Sequence, residues 1–207
     1  MFSSIIKDKI SRTHFYRMKK IIVLACTLCL TGSVLAQETW SLDKGHSKIG
    51  FTVTHHMISE VDGYFKTFTA KLTSSKDDFS DAIFELTAET NSINSENEMR
   101  DKDLRSPGFF DAEKFPTLTF KSTSFKNVSG NKYSLVGDLT IKGVTKSITM
   151  DVTLMGPEPH PRTKKPAIGI KATCKINRKD FGVGAGTPEM MVSDEVELRA
   201  TGEFNKD

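Results

Sequence analysis

From Trp40 onward, apolar and polar residues alternate by twos along most of the chain, the period at which an extended strand sends successive side chains to opposite faces. The clearest run is Ser47 to Thr54, where Ile49, Phe51 and Val53 share one face. The pattern recurs at Ala82, Phe84, Leu86 and Ala88, and again at Leu118 and Phe120 within a Thr-rich run. It continues through Tyr133, Leu135, Gly137 and Leu139, then Ile148 to Leu154, Ile168 to Ile176, and Val196 to Ala200. The stretch from Val61 to Leu72, with Gly63, Phe65 and Phe68, predicts a strand with a bulge and brings the total to roughly eight. Ser129-Gly130-Asn131, Lys142-Gly143 and the Pro-rich segment from Gly156 to Pro161 are the turn signals between them. A helical insert is predicted over Ser95 to Ser106, with Ser95 as N-cap, Glu96 and Glu98 in the first turn, and Pro107-Gly108 as the stop. The chain is thus all-β with one short helix, and periodicity alone leaves both a sandwich and a closed barrel open.

The segment ahead of this pattern has a different character. Arg17, Met18, Lys19 and Lys20 precede an apolar run from Ile21 to Leu30, and Val34-Leu35-Ala36 supplies small residues where a signal peptidase needs them. Residues 1–36 are therefore expected to be a cleaved signal peptide, with Met18 as an alternative start, leaving residues 37–207 as one domain exported to the periplasm or secreted. The run is far short of the roughly 20 residues of a membrane-spanning helix, so no transmembrane span is expected. Loss of the leader takes the basic residues from 29 to 23 and the acidic ones from 26 to 25. The sequence pI of 8.7 belongs to the leader, and the slightly acidic remainder gives no support to nucleic-acid binding. Cys26 and Cys29 leave as well, so Cys174 has no intramolecular partner and the fold rests on its core.

Candidate chemistry is sparse. His46, His55, His56 and His160 are poorly spaced for a metal, since adjacent His55 and His56 point to opposite faces of a strand. There is no Gly-x-Ser-x-Gly nucleophile elbow, and Cys174 on an apolar strand face reads as a small packed hydrophobe. The mixed charges from Glu96 to Arg105 match a solvated helix face. Gly182 to Gly186 lacks the Lys-Ser/Thr of a phosphate loop and reads as a flexible loop at the rim. No catalytic residue, metal or cofactor is expected. What remains is the apolar face itself, for which core and ligand lining are equally open.

Longer strings carry more information. Asp43-x-x-His46-Ser47-x-Ile49-x-Phe51-x-Val53-x-His55 followed by Gly63-x-Phe65 resembles the opening of the YceI-like family. Ser92-Ile93-Asn94, Arg100-Asp101-x-x-Leu104-x-Ser106, Phe109-Phe110-Asp111, Phe115-Pro116-x-Leu118-x-Phe120, Gly137-x-Leu139-Thr140-Ile141-x-Gly143 and Ile176-Asn177-Arg178-x-Asp180-Phe181-Gly182 continue it in order. The resemblance implies a lipocalin-like, eight-stranded antiparallel barrel that holds a polyisoprenoid or fatty-acyl lipid inside and is not an enzyme; a homodimer is a further expectation. On that basis the lining is Phe51, Val53, Phe65, Phe84, Leu86, Leu118, Phe120, Leu135, Leu139, Ile170 and Phe181, with His46, Ser47 and Arg178 as head-group candidates. Two departures stand out: Asp103 occupies a position where the family often has histidine, and the Pro-rich segment from Gly156 to Pro166 is particular to this chain. The rival functions are a small enzyme using His46 or His55 as base and a filled-core stress or interaction protein.

Overall fold

Alternation of inward apolar and outward polar side chains produces a sheet that has to close, because only one of its faces is fit for water. In the computed structural model of the protein, which describes residues 37–207, it does close. The leader expected over residues 1–36 lies outside the described residues. The strands are β1 (Glu38–His55), β2 (Ser59–Phe65), β3 (Phe68–Ser74), β4 (Ile83–Glu89), β5 (Ile93–Asn94), β6 (Thr117–Ser129), β7 (Lys132–Ile141), β8 (Val144–Pro159), β9 (Pro166–Asn177) and β10 (Val192–Lys206), with one helix, α1 (Glu98–Arg105). β1 is antiparallel to β10 from Trp40 opposite Lys206 to His55 opposite Val192, which joins the first strand to the last. β2 and β3 form one course of the wall, since β2 pairs with the C-terminal half of β1 and β3 with its N-terminal end. The result is the expected closed, eight-stranded antiparallel barrel with a short helix.

The interruption between β2 and β3 falls at Lys66 and Thr67, inside the stretch whose pattern predicts a bulge. Lys142 and Gly143 both adopt positive φ, 51° and 75°, as a tight hairpin between twisted strands requires. Three expectations are corrected. The helix starts later: Asn97 is the N-cap, its side chain accepting from the Arg100 amide at 3.0 Å, while Ser95 is buried against Asp101. The Pro-rich turn is displaced, because Gly156 to Pro159 continue β8 past a register shift and the reversal lies at His160 to Lys165. The charged helix is not wholly a solvated face, since Asp101 is buried.

One end of the barrel is packed solid. Trp40 meets Phe79 edge-on at 5.4 Å, Phe84 meets Phe125 at 5.0 Å, and Leu72, Leu154 and Ile168 fill the space between. The loop below is fastened by Asp81, which accepts from Ser74 Oγ at 2.6 Å and the Ser75 amide at 3.0 Å. Burial opposes ionisation there, but the bonds from Ser74 and Ser75 outweigh it and hold the carboxyl far below the usual range.

The opposite end is covered by the segment from Thr90 to Pro116, which includes α1, and by the loop from Arg178 to Met191. Phe110 leans on Phe65 at 5.9 Å and Phe51 at 6.4 Å. The two covers are tied together where Gly184 N donates to Gly108 O at 3.0 Å. Buried Arg178 organises the loop, donating to the carbonyls of Ser193, Val183, Gly184, Thr187 and Val192 and to Asp194 Oδ1. The Gly-rich stretch is therefore at the rim, as expected, but with its backbone fastened to a guanidinium. Removing that cation leaves several carbonyls and a carboxylate without their donor, so Arg178→Ala is expected to cost about 3–5 kcal/mol, measured by urea unfolding.

Candidate functional site

Between the solid floor and the two covers the barrel encloses a cavity of about 280 Å³. All eleven apolar residues expected from the sequence to line it, from Phe51 to Phe181, do so. The lining expected from the sequence omits Leu104, Phe109 and Phe110, motif residues that the insert contributes from above, and Val183 from the loop. Phe84 and Phe204, 6.5 Å apart, belong both to the lining and to the packed floor.

A filled core and an open lumen differ in one observable, the surface that inward-facing side chains retain. Ile49, Phe51, Leu86, Ile148, Ile176 and Leu198 face inward by the alternation of their strands, yet each is only half-buried. All six line the cavity. Their residual exposure is to the lumen, and in a domain interior packed to ordinary density it would be absent. Cys174 is half-buried on β9 but does not line the cavity, and its thiol is pushed up to about 11, chiefly by burial and then by Asp151. That agrees with a packed, unreactive side chain.

Two glycines keep the upper lumen open. Gly63 on β2 lies directly opposite Phe51 on β1, and a Cβ there would overlap the Phe51 ring. Gly137 on β7, opposite Ser122 and diagonal to Phe120 of β6, would likewise overlap the Phe120 ring if it carried a Cβ. Each ring lies over the bare backbone of the neighbouring strand and so takes up wall rather than lumen. Neither glycine has positive φ; its function is the space it vacates.

Polar groups at the cavity are few. Of the three head-group candidates only Arg178 lines it, and its donors are directed at the carbonyls and carboxylate described above. His46 and Ser47 sit on the β1 irregularity between Asp43 and Lys48 and do not line it. Ser47 Oγ donates to Asp43 O at 2.6 Å, and the exposed His46 ring holds Asp43 Oδ2 at 3.0 Å, with Glu203 3.9 Å away. Outside that set His55 at the end of β1 and Arg100 on α1 border the lumen, together with Lys71, Glu85, Arg199 and Thr201, all four exposed. His55 is exposed and stacks edge-on with His56 at 4.0 Å. Among the described residues no cluster of three His, Cys, Asp or Glu side chains is placed to hold a metal, and no helix is long and apolar enough to cross a membrane.

Two measurements probe this arrangement. Gly63→Ala is expected to force the Phe51 ring off the wall at a strain of about 1–3 kcal/mol and to weaken binding of a fluorescent apolar probe, with Phe51→Leu added in the same chain restoring it. At His46 the Asp43 hydrogen bond first, then the charges of Asp43 and Glu203, favour the imidazolium. A raised folded-state pKa means that this contribution to stability is present below the titration of a free histidine and is lost as pH rises through the folded value. A proton NMR titration should place His46 above the ordinary histidine range, and Asp43→Asn should return it.

The comparisons with known proteins agree with this geometry. The YceI-like domain model matches residues 40–204. A UPF0312 protein of Staphylococcus aureus is 35% identical over 170 residues, 80% of this chain and 96% of the relative. The YCEI protein of Campylobacter jejuni superposes with a TM-score of 0.67 at 32% identity, over 72% of this chain and 87% of that one. BcnA of Burkholderia cenocepacia gives 0.70 at 25% identity, over 78% and 98%. A polyisoprenoid binding domain from Saccharophagus degradans shares the fold, with a TM-score of 0.62 at 14% identity over 81% and 98%. The strand order, the floor, the covered apolar lumen and a match running through almost every described residue lead to one assignment: this chain belongs to the YceI-like domain family.

Proposed function

We propose that this protein is a non-catalytic carrier that takes the chain of a polyisoprenoid or fatty-acyl lipid into its lumen, and so transports or sequesters it. The observation that carries this is the ring of inward-facing apolar side chains left half-buried around an unfilled space. At roughly 30 Å³ for a water-sized group, near the size of a methylene, the lumen accepts about nine of them. At about 0.8 kcal/mol per buried methylene that gives on the order of 7 kcal/mol before the cost of ordering the chain. The energy is indifferent to the tail's chemistry, so tail binding is permissive, and a longer chain continues out through the mouth. The Saccharophagus degradans domain is a polyisoprenoid binding domain, but at 14% identity the likeness is one of fold, and the reading rests on the cavity.

The rival, an enzyme with a histidine base, has weaker support. His55 borders the lumen, but among the described residues no side-chain hydrogen bond orients either ring of the His55–His56 pair, as a general base requires. Export completes the reading, with the apolar run Ile21 to Leu30 as its signal.

The test is mass spectrometry of the exported protein purified without detergent, run natively and again after organic extraction. A chain beginning at Gln37 with a stoichiometric isoprenoid or acyl species is the expected result, and the native mass also reports whether a homodimer forms. A ligand-free mass that persists after incubation with such lipids overturns the carrier reading.

A further inference from the structure

We propose that the covered end of the barrel docks on the surface of a phospholipid bilayer, through an apolar patch formed by the tip of the β1–β2 hairpin and the end of the loop that precedes β10. The inference rests on the lumen taking a lipid chain and goes beyond it by naming where that chain is collected and released. Met57 and Ile58 at the hairpin tip are 74% and 86% exposed, and Met190 and Met191 in the loop are 67% and 46% exposed. The two segments touch: His56 N donates to Met191 O at 3.0 Å, and His55 stands opposite Val192 where β1 pairs with β10. Isolated apolar side chains on a surface need no explanation, but four large ones gathered at one place mark a site of association.

The tip is not built for the stability of the free protein. The Ile58 amide donates to the His55 carbonyl at 3.1 Å and closes a hairpin turn on His56 and Met57. Both residues have positive φ, 50° and 61°, the conformation that Asn-Gly adopts at such turns without strain. His-Met in that place strains the backbone, and the exposed Met57 recovers little of it by burial. An apolar side chain held outward at a cost to the fold is explained by what it meets outside. The patch is also nearly free of fixed charge, since His55 to Ser59 and Gly184 to Val192 together contain one acid, Glu189, and no Lys or Arg.

What lies behind the patch identifies the occupant. His55, Val183 and Val192 line the cavity, so the exposed side chains on both segments lead directly into the lumen. A long apolar lipid is driven out of water and held in bilayers. A rim that inserts Met and Ile side chains at the boundary between head groups and acyl chains brings the lumen against that store. With so little charge in the patch, docking comes from buried apolar area rather than from attraction to anionic lipid, so a zwitterionic surface suffices and salt has little effect.

The test mixes the exported protein with phosphatidylcholine vesicles carrying a fluorescent acyl lipid and measures both flotation with the vesicles and the rate of lipid transfer to the protein. The wild type is expected to float in low and in high salt, and its transfer rate to rise in proportion to vesicle concentration, as transfer by collision requires. Ile58→Ser combined with Met190→Ser should weaken flotation and slow transfer about tenfold or more, a difference of about 1.4 kcal/mol, while uptake of the same lipid added without vesicles stays within about twofold. Met57→Gly relieves the turn, so it should raise the urea unfolding midpoint and yet weaken flotation, a pair of opposite signs that a purely structural role does not produce. Absence of flotation, a transfer rate independent of vesicle concentration, flotation that needs anionic lipid and disappears in salt, or variants that dock like the wild type overturns the proposal and leaves the carrier reading standing. A native dimer that Ile58→Ser dissociates assigns the patch to a second copy of the chain and overturns it as well. Failure of the wild type to take up lipid added without vesicles overturns the carrier reading, and the docking proposal with it.

Discussion

The antiparallel seam between β1 and β10 is the constraint on which everything inside the barrel depends. It joins the first strand to the last, removes the sheet's free edges and fixes its circumference, so the width of the interior is set by strand number and not by what fills it. With the wall fixed, side-chain volume alone decides whether a given level is core or cavity. Trp40, Leu72, Phe79 and Phe125 fill the lower level to near-zero exposure. Higher up, Ala70 and Ala200 put short side chains on the lining, Gly63 and Gly137 let the Phe51 and Phe120 rings lie against the wall, and the level stays open.

That division explains which parts of the structure the sequence discloses. Period-two alternation locates the strands, because the face of each side chain depends only on position within its own strand. The length of β1 is less legible: its pattern is clear from Ser47, but the strand begins at Glu38, and the register shift between Asp43 and Lys48 breaks the phase that would have linked the two halves. The same irregularity removes His46 and Ser47 from the lumen that an unbroken strand would suggest. Core and lining are inseparable at this level. Phe51 and Phe84 are both phenylalanines on alternating strands, but Phe84 faces Leu72 across the sheet and Phe51 faces Gly63. One ring is trapped in the floor and the other lies along the wall, and only the register between strands distinguishes them.

Charged residues are illegible in the sequence for a related reason. A run such as Glu98-Met99-Arg100-Asp101-Lys102-Asp103 has the composition of a solvated helix, and at eight residues α1 is too short for periodicity to identify its inner face. The family motif marks Arg100 and Asp101 as noteworthy without assigning them separate tasks. The structure does: Asp101 is buried on Ser95, and Arg100 borders the lumen. Arg178 shows the converse. It stands at the cavity, as a head-group ligand should, but its hydrogen-bond inventory is spent on one loop, and no count of donors can be made from a sequence that does not disclose where the carbonyls lie.

The two ends of the lumen also differ in how they can respond to a chain longer than the space available. At the floor, deepening the cavity would separate aromatic rings already in edge-to-face contact, Trp40 on Phe79 and Phe84 on Phe125, and would expose side chains that are almost fully buried. Each such side chain is worth about 1.5–3 kcal/mol of burial, which exceeds the roughly 0.8 kcal/mol gained from one more methylene. At the other end the two covers, the segment carrying the two-turn helix and the loop from Arg178 to Met191, are joined by hydrogen bonds such as Gly184 to Gly108. Opening there also uncovers Phe110, Phe181 and Val183, but the hydrogen bonds between the covers are ones that water can replace, at a net cost of about 0.5–1.5 kcal/mol each. For a lipid chain bound as proposed, added length would be accommodated toward the covers, with the floor as a fixed stop for the tail. On the carrier function proposed above, such a lumen would discriminate weakly among tails and take its selectivity from the few polar atoms where the chain emerges.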